Sequence, residues 1–251
     1  MEMAEIARVL HERGIEFDDR GLDWAHATFS AYEADIRTAI RNGKRPVLVE
    51  LRDIPADIRP FIDVIDHHGQ ESGHLPTSLE QVLARLGVTS LTREQTLIAA
   101  NDKGYIEGML DIGATIEEIG RIRYKDREAQ GITAEQEAAA EAAIAVCESP
   151  VPGLLIVKLP HAKTATVTDR LSNFAGGPGY KNLLVECPNE ISFFGEGKIV
   201  EELVRGYGGY CGGNLPERGY WGIEIGAEPG RETIRQFVIG VAADNFGRET
   251  I

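Results

Sequence analysis

Pro46-Val-Leu-Val-Glu-Leu51 and Phe61-Ile-Asp-Val-Ile65 are the two stretches of sequence that decide the fold. Each is a short apolar run, which is typical of a strand buried in a parallel sheet. Helical periodicity precedes the first run at residues 29–41 and follows the second at residues 78–86. Strands that alternate with helices in this way predict an α/β fold with a parallel sheet.

The pattern of the sequence changes near residue 150. Four further segments with helical periodicity precede that point: 4–12, 94–100, 115–126 and 134–147. Ser149-Pro150-Val151-Pro152-Gly153 then interrupts the last of these helices, because proline cannot continue a helix. Strand-like runs follow at 154–159, 182–186 and 190–194, with a helix near 198–205. We therefore expect a parallel-sheet domain at residues 1–148 and a smaller α/β domain at residues 149–251, with a cleft between them.

The charge of the chain excludes one class of partner. The 251 residues include 40 Asp and Glu against 26 Lys and Arg, which gives a formal net charge of −14. Such a surface repels the phosphate backbone of a long nucleic acid, so a protein that coats DNA or RNA is not expected. A small phosphorylated substrate remains compatible, because a bound divalent cation can reverse the local sign of the charge.

The cysteines and the apolar segments predict the compartment. Cys147, Cys187 and Cys211 are odd in number and far apart, which fits a reducing cytoplasm. No stretch approaches the roughly 18 to 20 apolar residues that span a bilayer. The charged N-terminal stretch has no apolar signal-peptide core. We expect a cytoplasmic protein without a membrane partner, and the sequence leaves a homodimer open.

Carboxylate and imidazole side chains follow the apolar segments of the first domain. Asp66, His67 and His68 come directly after the second run, Asp53 lies just past the first, and Asp102 follows the apolar residues 97–100. In open α/β sheets, ligands bind outside the carboxyl ends of the strands. Oxygen and imidazole ligands suit Mn²⁺, Fe²⁺ or Co²⁺. Any one of these Asp residues could simply cap a loop, but their recurrence after three segments favours a shared metal site.

Val49-Glu-Leu-Arg-Asp53, then Asp66-His67-His68, then a helix and Asp102, form an arrangement that resembles the DHH phosphoesterase superfamily. The resemblance covers about residues 15–130 and, more loosely, 150–226. It implies a two-domain α/β protein with two divalent metal ions in a cleft. The ions are usually manganese, with Mg²⁺, Co²⁺ and Fe²⁺ as alternatives.

The first motif of that superfamily is altered in this chain. The family places a His and two Asp in the spacing H-x-x-x-D-x-D, and aligning Asp19 and Asp23 with the first two ligands leaves Ala25 at the third. His26, beside it, is a candidate substitute. The altered motif is compatible with a rearranged two-metal site, a one-metal site or a decayed one. A cluster that caps the helix from Phe29 is a further alternative.

A glycine-rich segment in the second domain resembles the G-G-G-H loop that closes over substrate phosphates in the same superfamily. It reads Gly208-Gly209-Tyr210-Cys211-Gly212-Gly213-Asn214, with Asn214 at the position of the family's His. Successive backbone N–H groups around glycines can form an anion-binding nest. The resemblance implies a basic partner as well, for which Arg170 and Arg218 are candidates. A plain tight turn is the alternative for the glycine segment.

The resemblance implies a metal-dependent phosphoesterase that hydrolyses a phosphodiester or phosphoanhydride bond in a small nucleotide, a short oligonucleotide or a related molecule. In that mechanism Asp66 bridges the two metal ions, and Asp53 and Asp102 are further carboxylate ligands. His67 is a direct ligand or a transition-state donor, and His68 is a ligand or orients it. Two alternatives remain: a non-catalytic nucleotide- or metabolite-binding protein on a decayed DHH fold, and a structural partner protein.

Asp66→Ala is expected to lower the metal content of the purified protein, because it removes the carboxylate that the resemblance assigns to the bridge between two ions. Elemental analysis after dialysis against Mn²⁺ measures this content. A metal content equal to that of the wild type would contradict a shared site that depends on Asp66.

Overall fold

The computed structural model describes residues 1–22, 26–68, 75–226 and 230–249, with side chains described only to residue 244 in the last segment. Its contacts divide the chain into two compact units, Met1–Thr115 and Ile116–Ile251. Both units combine helices with strands, which confirms the predicted α/β class. No helix among the described residues is long and apolar enough to cross a membrane.

In the part that the structure describes, unit 1 (Met1–Thr115) combines a two-stranded parallel sheet with four α-helices and a short 3-10 helix at Arg59–Phe61. Its elements are α1 (Glu2–Glu12), α2 (Phe29–Arg41), β1 (Val47–Val49), β2 (Asp63–Ile65), α3 (Ser78–Arg85) and α4 (Arg93–Asp111). Strands β1 and β2 pair in parallel, as predicted, with Leu48 beside Val64. A single parallel bridge joins Thr28 to Arg52 next to this pair. Because both strands run the same way, the residues that follow them emerge at one edge of the sheet.

Two helices of unit 1, α3 and α4, begin with a side-chain cap. Thr77 at the start of α3 and Thr92 at the start of α4 each form a capping box with the Glu or Gln three residues further on. Helix α4 is longer than the predicted segment and is kinked at Gly104 and Tyr105. A Cβ atom on Gly108 would lie 2.4 Å from the carbonyl oxygen of Ala100, so the close approach of the two parts of α4 requires a glycine there.

Unit 2, Ile116–Ile251, is built around a mixed five-stranded sheet. Its elements are α5 (Ile116–Ala129), α6 (Ala134–Ala145), β3 (Leu154–Lys158), α7 (Ala165–Leu171), β4 (Asn182–Glu186), β5 (Glu190–Glu196), α8 (Gly197–Tyr207), β6 (Tyr210–Asn214), β7 (Arg218–Glu224) and α9 (Arg231–Glu249). The strand order is β3-β4-β5-β7-β6. Strands β3 and β4 are parallel, and the other pairs are antiparallel.

Both faces of this sheet are covered. On β4, Leu183 and Val185 pack in the core that includes residues of α6 and α7, whereas Leu184 packs in the core that includes residues of α8 and α9. This alternation follows from the two-residue period of a strand. A strand apolar on both faces reads as a continuous apolar run, which is why β4 was predicted with its observed bounds.

The division between the units lies at Thr115, earlier in the chain than the boundary predicted at residues 148 and 149. Helices α5 and α6, which the sequence analysis assigned to the first domain, lie in unit 2. The carboxylate of Asp169 on α7 accepts hydrogen bonds from Arg123 and Arg127 of α5, at 3.2 and 2.7 Å. Arg127 also binds Glu137 of α6 at 2.8 Å. These ion pairs hold α5, α6 and α7 together, and the two that involve Asp169 join residues more than 40 positions apart.

Asp169→Asn is expected to destabilise unit 2 by about 1–3 kcal/mol, because it removes the shared buried carboxylate of two guanidinium groups, while Arg123 keeps Asp126 and Arg127 keeps Glu137. Arg123 is 1% exposed and Asp169 is 3% exposed. Urea unfolding followed by circular dichroism measures the change. The matched control is Glu141→Gln, whose exposed ion pair with Arg170 is worth about 1 kcal/mol or less. A loss below 1 kcal/mol for Asp169→Asn would contradict a structural role for this network.

Candidate metal centre

Four elements of unit 1 bring acidic and imidazole side chains to one place. Glu50 follows β1, the segment Asp66-His67-His68 follows β2, Asp102 lies on α4, and Glu2 begins α1. His67 lies at the centre of this group and is 5% exposed. The parallel pairing of β1 and β2 accounts for the approach of Glu50 to His67, since both residues leave the same sheet edge.

The two ring nitrogens of His67 face carboxylates on opposite sides. Nδ1 lies 3.2 Å from Oε1 of Glu50 and 3.3 Å from Oγ of Ser78, and Nε2 lies 2.9 Å from Oδ2 of Asp102. A neutral imidazole has one N–H group, so it can donate to only one of these sides at a time. The other nitrogen then presents a lone pair toward a carboxylate, and a cation between the two would turn this repulsion into attraction.

His68 forms the more exposed part of the same cluster. Its backbone N–H donates to Oδ1 of Asp66 at 2.9 Å, and its Nδ1 lies 2.9 Å from the same oxygen. The His68 ring lies 4.4 Å from the His67 ring, centroid to centroid, at an angle of 32°. Asp66 therefore orients His68, whose imidazole remains accessible to solvent.

Two sets of side chains in this cluster bring their ligand atoms close enough together to hold a metal ion. Glu50, His67 and His68 form one set, and Glu2, His67 and Asp102 form the other; within each set the ligand atoms lie within 4.8 Å of one another. His67 belongs to both. Two buried carboxylate oxygens, Oε1 of Glu50 and Oε2 of Glu2, have no hydrogen-bond partner among the described residues. Such orphaned anionic oxygens, next to imidazole nitrogens, fit a divalent cation such as Mn²⁺.

Glu2 carries an unusual charge environment. It is 4% exposed, and its Oε1 accepts a hydrogen bond from the backbone N–H of Leu79 at 2.8 Å. Burial, together with the nearby charge of Asp102, raises the pKa of Glu2 to about 8, although hydrogen bonds from Leu79 and Thr77 oppose the shift. The protein therefore holds a carboxyl group where its ionised form is disfavoured unless a cation is near.

Backbone strain is concentrated around the same cluster. Among the described residues, the non-glycine residues with positive φ are Glu50 at 54°, Asp53 at 57° and Tyr105 at 56°. Two of them follow β1 and the third forms the kink of α4 after Asp102. Each such residue costs of order 1–3 kcal/mol, and strain of this kind is found where function constrains the backbone. One of these strained residues, Glu50, belongs to a donor set, and Tyr105 lies three positions after another donor residue, Asp102.

The structure distributes the sequence-predicted ligands unevenly. His67, His68 and Asp102 belong to the donor sets, whereas Asp53, Asp66, Asp19 and His26 do not, within the part of the chain that is described. Asp53 and His26 are exposed, and Asp19 accepts a hydrogen bond from the N–H of Gly21 at 2.8 Å. Asp23 lies outside the described residues. The predicted roles of these four described residues and of Asp23 stay predictions.

Two residues of the donor sets were missed by the sequence analysis. Glu50 lies near the end of the apolar run 46–51, so a signal was available: a carboxylate at the end of a buried strand. Glu2 has no such signal, because its approach to His67 depends on how α1 packs against α3 and α4.

The glycine-rich segment of unit 2 forms a strand rather than a loop. Residues 210–214 are β6, paired antiparallel with β7, so that Gly212 lies beside Tyr220 and Tyr210 beside Gly222. A Cβ atom on Gly212 would lie 2.5 Å from the hydroxyl of Tyr220. The glycines at 212 and 222 therefore make room for tyrosine rings on the neighbouring strand, a packing role that needs no ligand. Gly208, Gly209, Gly213 and Asn214 are exposed, and contact with a phosphate stays a prediction.

The two arginines predicted to bind substrate phosphate form hydrogen bonds and ion pairs with other residues of unit 2. Arg170 binds Glu137 and Glu141, the second at 3.0 Å. Arg218 donates to the carbonyl oxygens of Lys181 and Tyr180 at 2.9 and 3.1 Å. A substrate phosphate would have to compete with these contacts.

No protein-family model matches the chain, and no curated protein matches it. Among solved structures, the chain is similar to one described as a pGpG-specific phosphodiesterase, PggH, from Vibrio cholerae, at 15% sequence identity and a TM-score of 0.39. The match covers 82% of this chain and 88% of that chain. A similarity at this level assigns neither a fold family nor an activity. The resemblance to the DHH phosphoesterases therefore remains a hypothesis based on sequence motifs.

Glu50→Gln is expected to weaken Mn²⁺ binding by at least about tenfold, because it removes the charge from a buried oxygen that faces His67. Asp53→Asn is the matched control: it also follows β1 with positive φ and loses one carboxylate charge, but it lies outside both donor sets. Isothermal titration with Mn²⁺ compares the two. A loss of affinity in Asp53→Asn but not in Glu50→Gln would restore the ligand assignment made from the sequence.

Proposed function

We propose that the protein is a divalent-metal-dependent hydrolase that cleaves a phosphodiester or phosphoanhydride bond in a small phosphorylated molecule, such as a nucleotide or a short oligonucleotide. The observation that carries this proposal is the placement of His67 between two donor sets, each with an orphaned, buried carboxylate oxygen. Mn²⁺ is the proposed ion. Two ions are proposed from the resemblance, one at each set, and the single lone pair of a neutral His67 serves one of them. The location in the cytoplasm and a homodimer stay predictions.

The residues of the cluster have complementary roles in this proposal. A divalent cation, when bound, neutralises phosphate charge and makes water a better nucleophile at neutral pH. Glu2, Glu50 and Asp102 supply the negative charge that retains a cation. In this proposal His68, which Asp66 orients and which is accessible to solvent, donates a hydrogen bond to a phosphate oxygen. Its partner His67 is buried and positions the donor sets relative to each other.

The chemistry of the surface supports a small substrate. Long nucleic acids are repelled by the net charge of −14, whereas a single phosphodiester group can be held by local cations. Contacts of the substrate with Gly208, Gly209, Gly212, Gly213, Asn214, Arg170 or Arg218 belong to this proposal as predictions from the resemblance alone.

A second candidate function is metal-dependent binding of a nucleotide or metabolite without turnover. One observation favours it: Asp19 and His26, from the altered first motif, are exposed and outside both donor sets. A centre that lacks the ligands of this motif could hold a cation and a phosphate without activating water.

Turnover of a substrate panel separates these two functions. The panel contains linear dinucleotides, cyclic dinucleotides, pyrophosphate and polyphosphate, each incubated with Mn²⁺, with Mg²⁺ and with a chelator. We expect Mn²⁺-dependent hydrolysis of at least one compound. His67→Asn should lower its rate about 100-fold or more, and His11→Asn, the same substitution at an exposed position of α1, should leave it unchanged.

The outcomes of this assay are distinct. Hydrolysis that persists in chelator, or in His67→Asn with native circular dichroism, would contradict the proposed metal centre. Tight Mn²⁺-dependent binding of one compound without hydrolysis would favour the second candidate function.

A further inference from the structure

The first residue of α1 reaches into the metal centre, although it is 65 positions from His67 in the sequence. Helix α1 packs against α3 and α4, and Ile6 and Val9 on the same helix are buried. This packing carries Glu2 inward until a carboxylate oxygen lies within 4.8 Å of the ligand atoms of His67 and Asp102. The position of Glu2 is thus fixed by the apolar face of α1.

The two oxygens of Glu2 have different environments. Oε1 accepts the hydrogen bond from Leu79, which holds the carboxylate in place. Oε2 is buried and has no hydrogen-bond partner among the described residues. Leaving a buried carboxylate oxygen unsatisfied is costly, and the charge of Asp102 adds to the cost. A cation at this point would satisfy the oxygen and offset the repulsion.

The neighbouring imidazole is suited to the same cation. When Nδ1 of His67 carries the proton, it can donate to Oγ of Ser78 at 3.3 Å, and Nε2 then offers its lone pair on the side of Asp102. A metal-ligating histidine usually donates its second ring N–H to such a partner, which fixes the orientation of the ring. Two carboxylates and one imidazole are a common donor set for Mn²⁺ and related ions.

We propose that Glu2 is a metal-ligating residue, which binds one divalent cation together with Nε2 of His67 and a carboxylate oxygen of Asp102. The N-terminal helix thereby contributes a carboxylate to the centre. The altered first motif contributes no ligand from Asp19 or His26, which are exposed. This inference rests on the metal centre of the proposed function but not on turnover. Cation binding also ties α1 to α4, because the two ligating carboxylates come from these two helices.

Glu2→Gln tests this inference in the full-length chain, with Mn²⁺ alone as the probe. The amide keeps the shape of the side chain and can still accept the hydrogen bond from Leu79. We expect the Kd for Mn²⁺ to rise at least about tenfold, while the melting temperature of the metal-free protein stays the same or rises. A purely structural role for Glu2 would instead lower that melting temperature and leave the Kd unchanged.

Glu5→Gln is the matched control. Glu5 lies on the same helix one turn later, is 9% exposed, and binds Arg8 and Gln95 rather than the centre. It should bind Mn²⁺ within about twofold of the wild type. If Glu2→Gln fails to fold by circular dichroism, Glu2→Asp replaces it. That variant keeps the charge but is one methylene shorter, and a fivefold or larger rise in Kd is expected.

The results separate this inference from the proposed function. Wild-type affinity in the folded Glu2 variant overturns the role of Glu2 and leaves the hydrolase proposal standing. Mn²⁺ binding that depends on Glu2, in a wild-type protein that hydrolyses nothing in the panel, supports Glu2 and overturns the hydrolase. A wild-type protein that binds no Mn²⁺ overturns both.

Discussion

The arrangement of the metal centre within residues 1–115 depends on one constraint, which is that a buried imidazole lies between carboxylates. His67 has one N–H group in its neutral form, yet Glu50 and Asp102 approach it from opposite sides. In that form, one ring nitrogen presents its lone pair to a carboxylate, and a cation on that side makes the arrangement favourable. Three features of the fold place carboxylates near His67. The pairing of the two strands places Glu50, the kinked helix places Asp102, and the packing of α1 places Glu2.

The two units bury carboxylates in contrasting ways. Asp169 in unit 2 is paired with two arginines that come from the same layer of helices, so its charge is balanced within the fold. Glu2 in unit 1 has a buried oxygen with no hydrogen-bond partner among the described residues. Balanced buried charges are compatible with a stable fold, whereas an unpartnered buried carboxylate oxygen is costly and is a candidate ligand for a cation. Metal binding would then also stabilise unit 1, because the cation binds the folded donor set.

Glycines that resemble a phosphate loop have a different explanation in unit 2. Strand β6 pairs Gly212 with Tyr220, and β7 pairs Gly222 with Tyr210, so each tyrosine ring lies over a glycine of the adjacent strand. A glycine is needed on one strand because the residue opposite it on the other strand is a large tyrosine. A run of glycines in a sequence therefore indicates that some group approaches the backbone closely. It does not identify that group as a ligand phosphate or as a neighbouring ring.

The sequence by itself determined the α/β class, the parallel pairing of the two short strands, and the observed bounds of α2 and β4. Periodicity and apolar runs are local properties, so they predict elements well. It also predicted that His67, His68 and Asp102 lie close together. His67 and His68 follow β2 at the edge of the sheet, whereas Asp102 lies on helix α4. Elements rich in glycine or in β-branched residues, such as β6 and α7, were missed because tertiary packing outweighs their local propensity.

Only the tertiary structure decided which carboxylates accompany those residues. Glu50 faces His67 through a strained backbone turn after β1. Glu2 comes to the centre only because the apolar face of α1 is buried against α3 and α4. The division at Thr115 likewise follows from ion pairs between distant helices. Distances between residues far apart in the chain depend on the sum of all packing contacts, and no local pattern of residues encodes that sum.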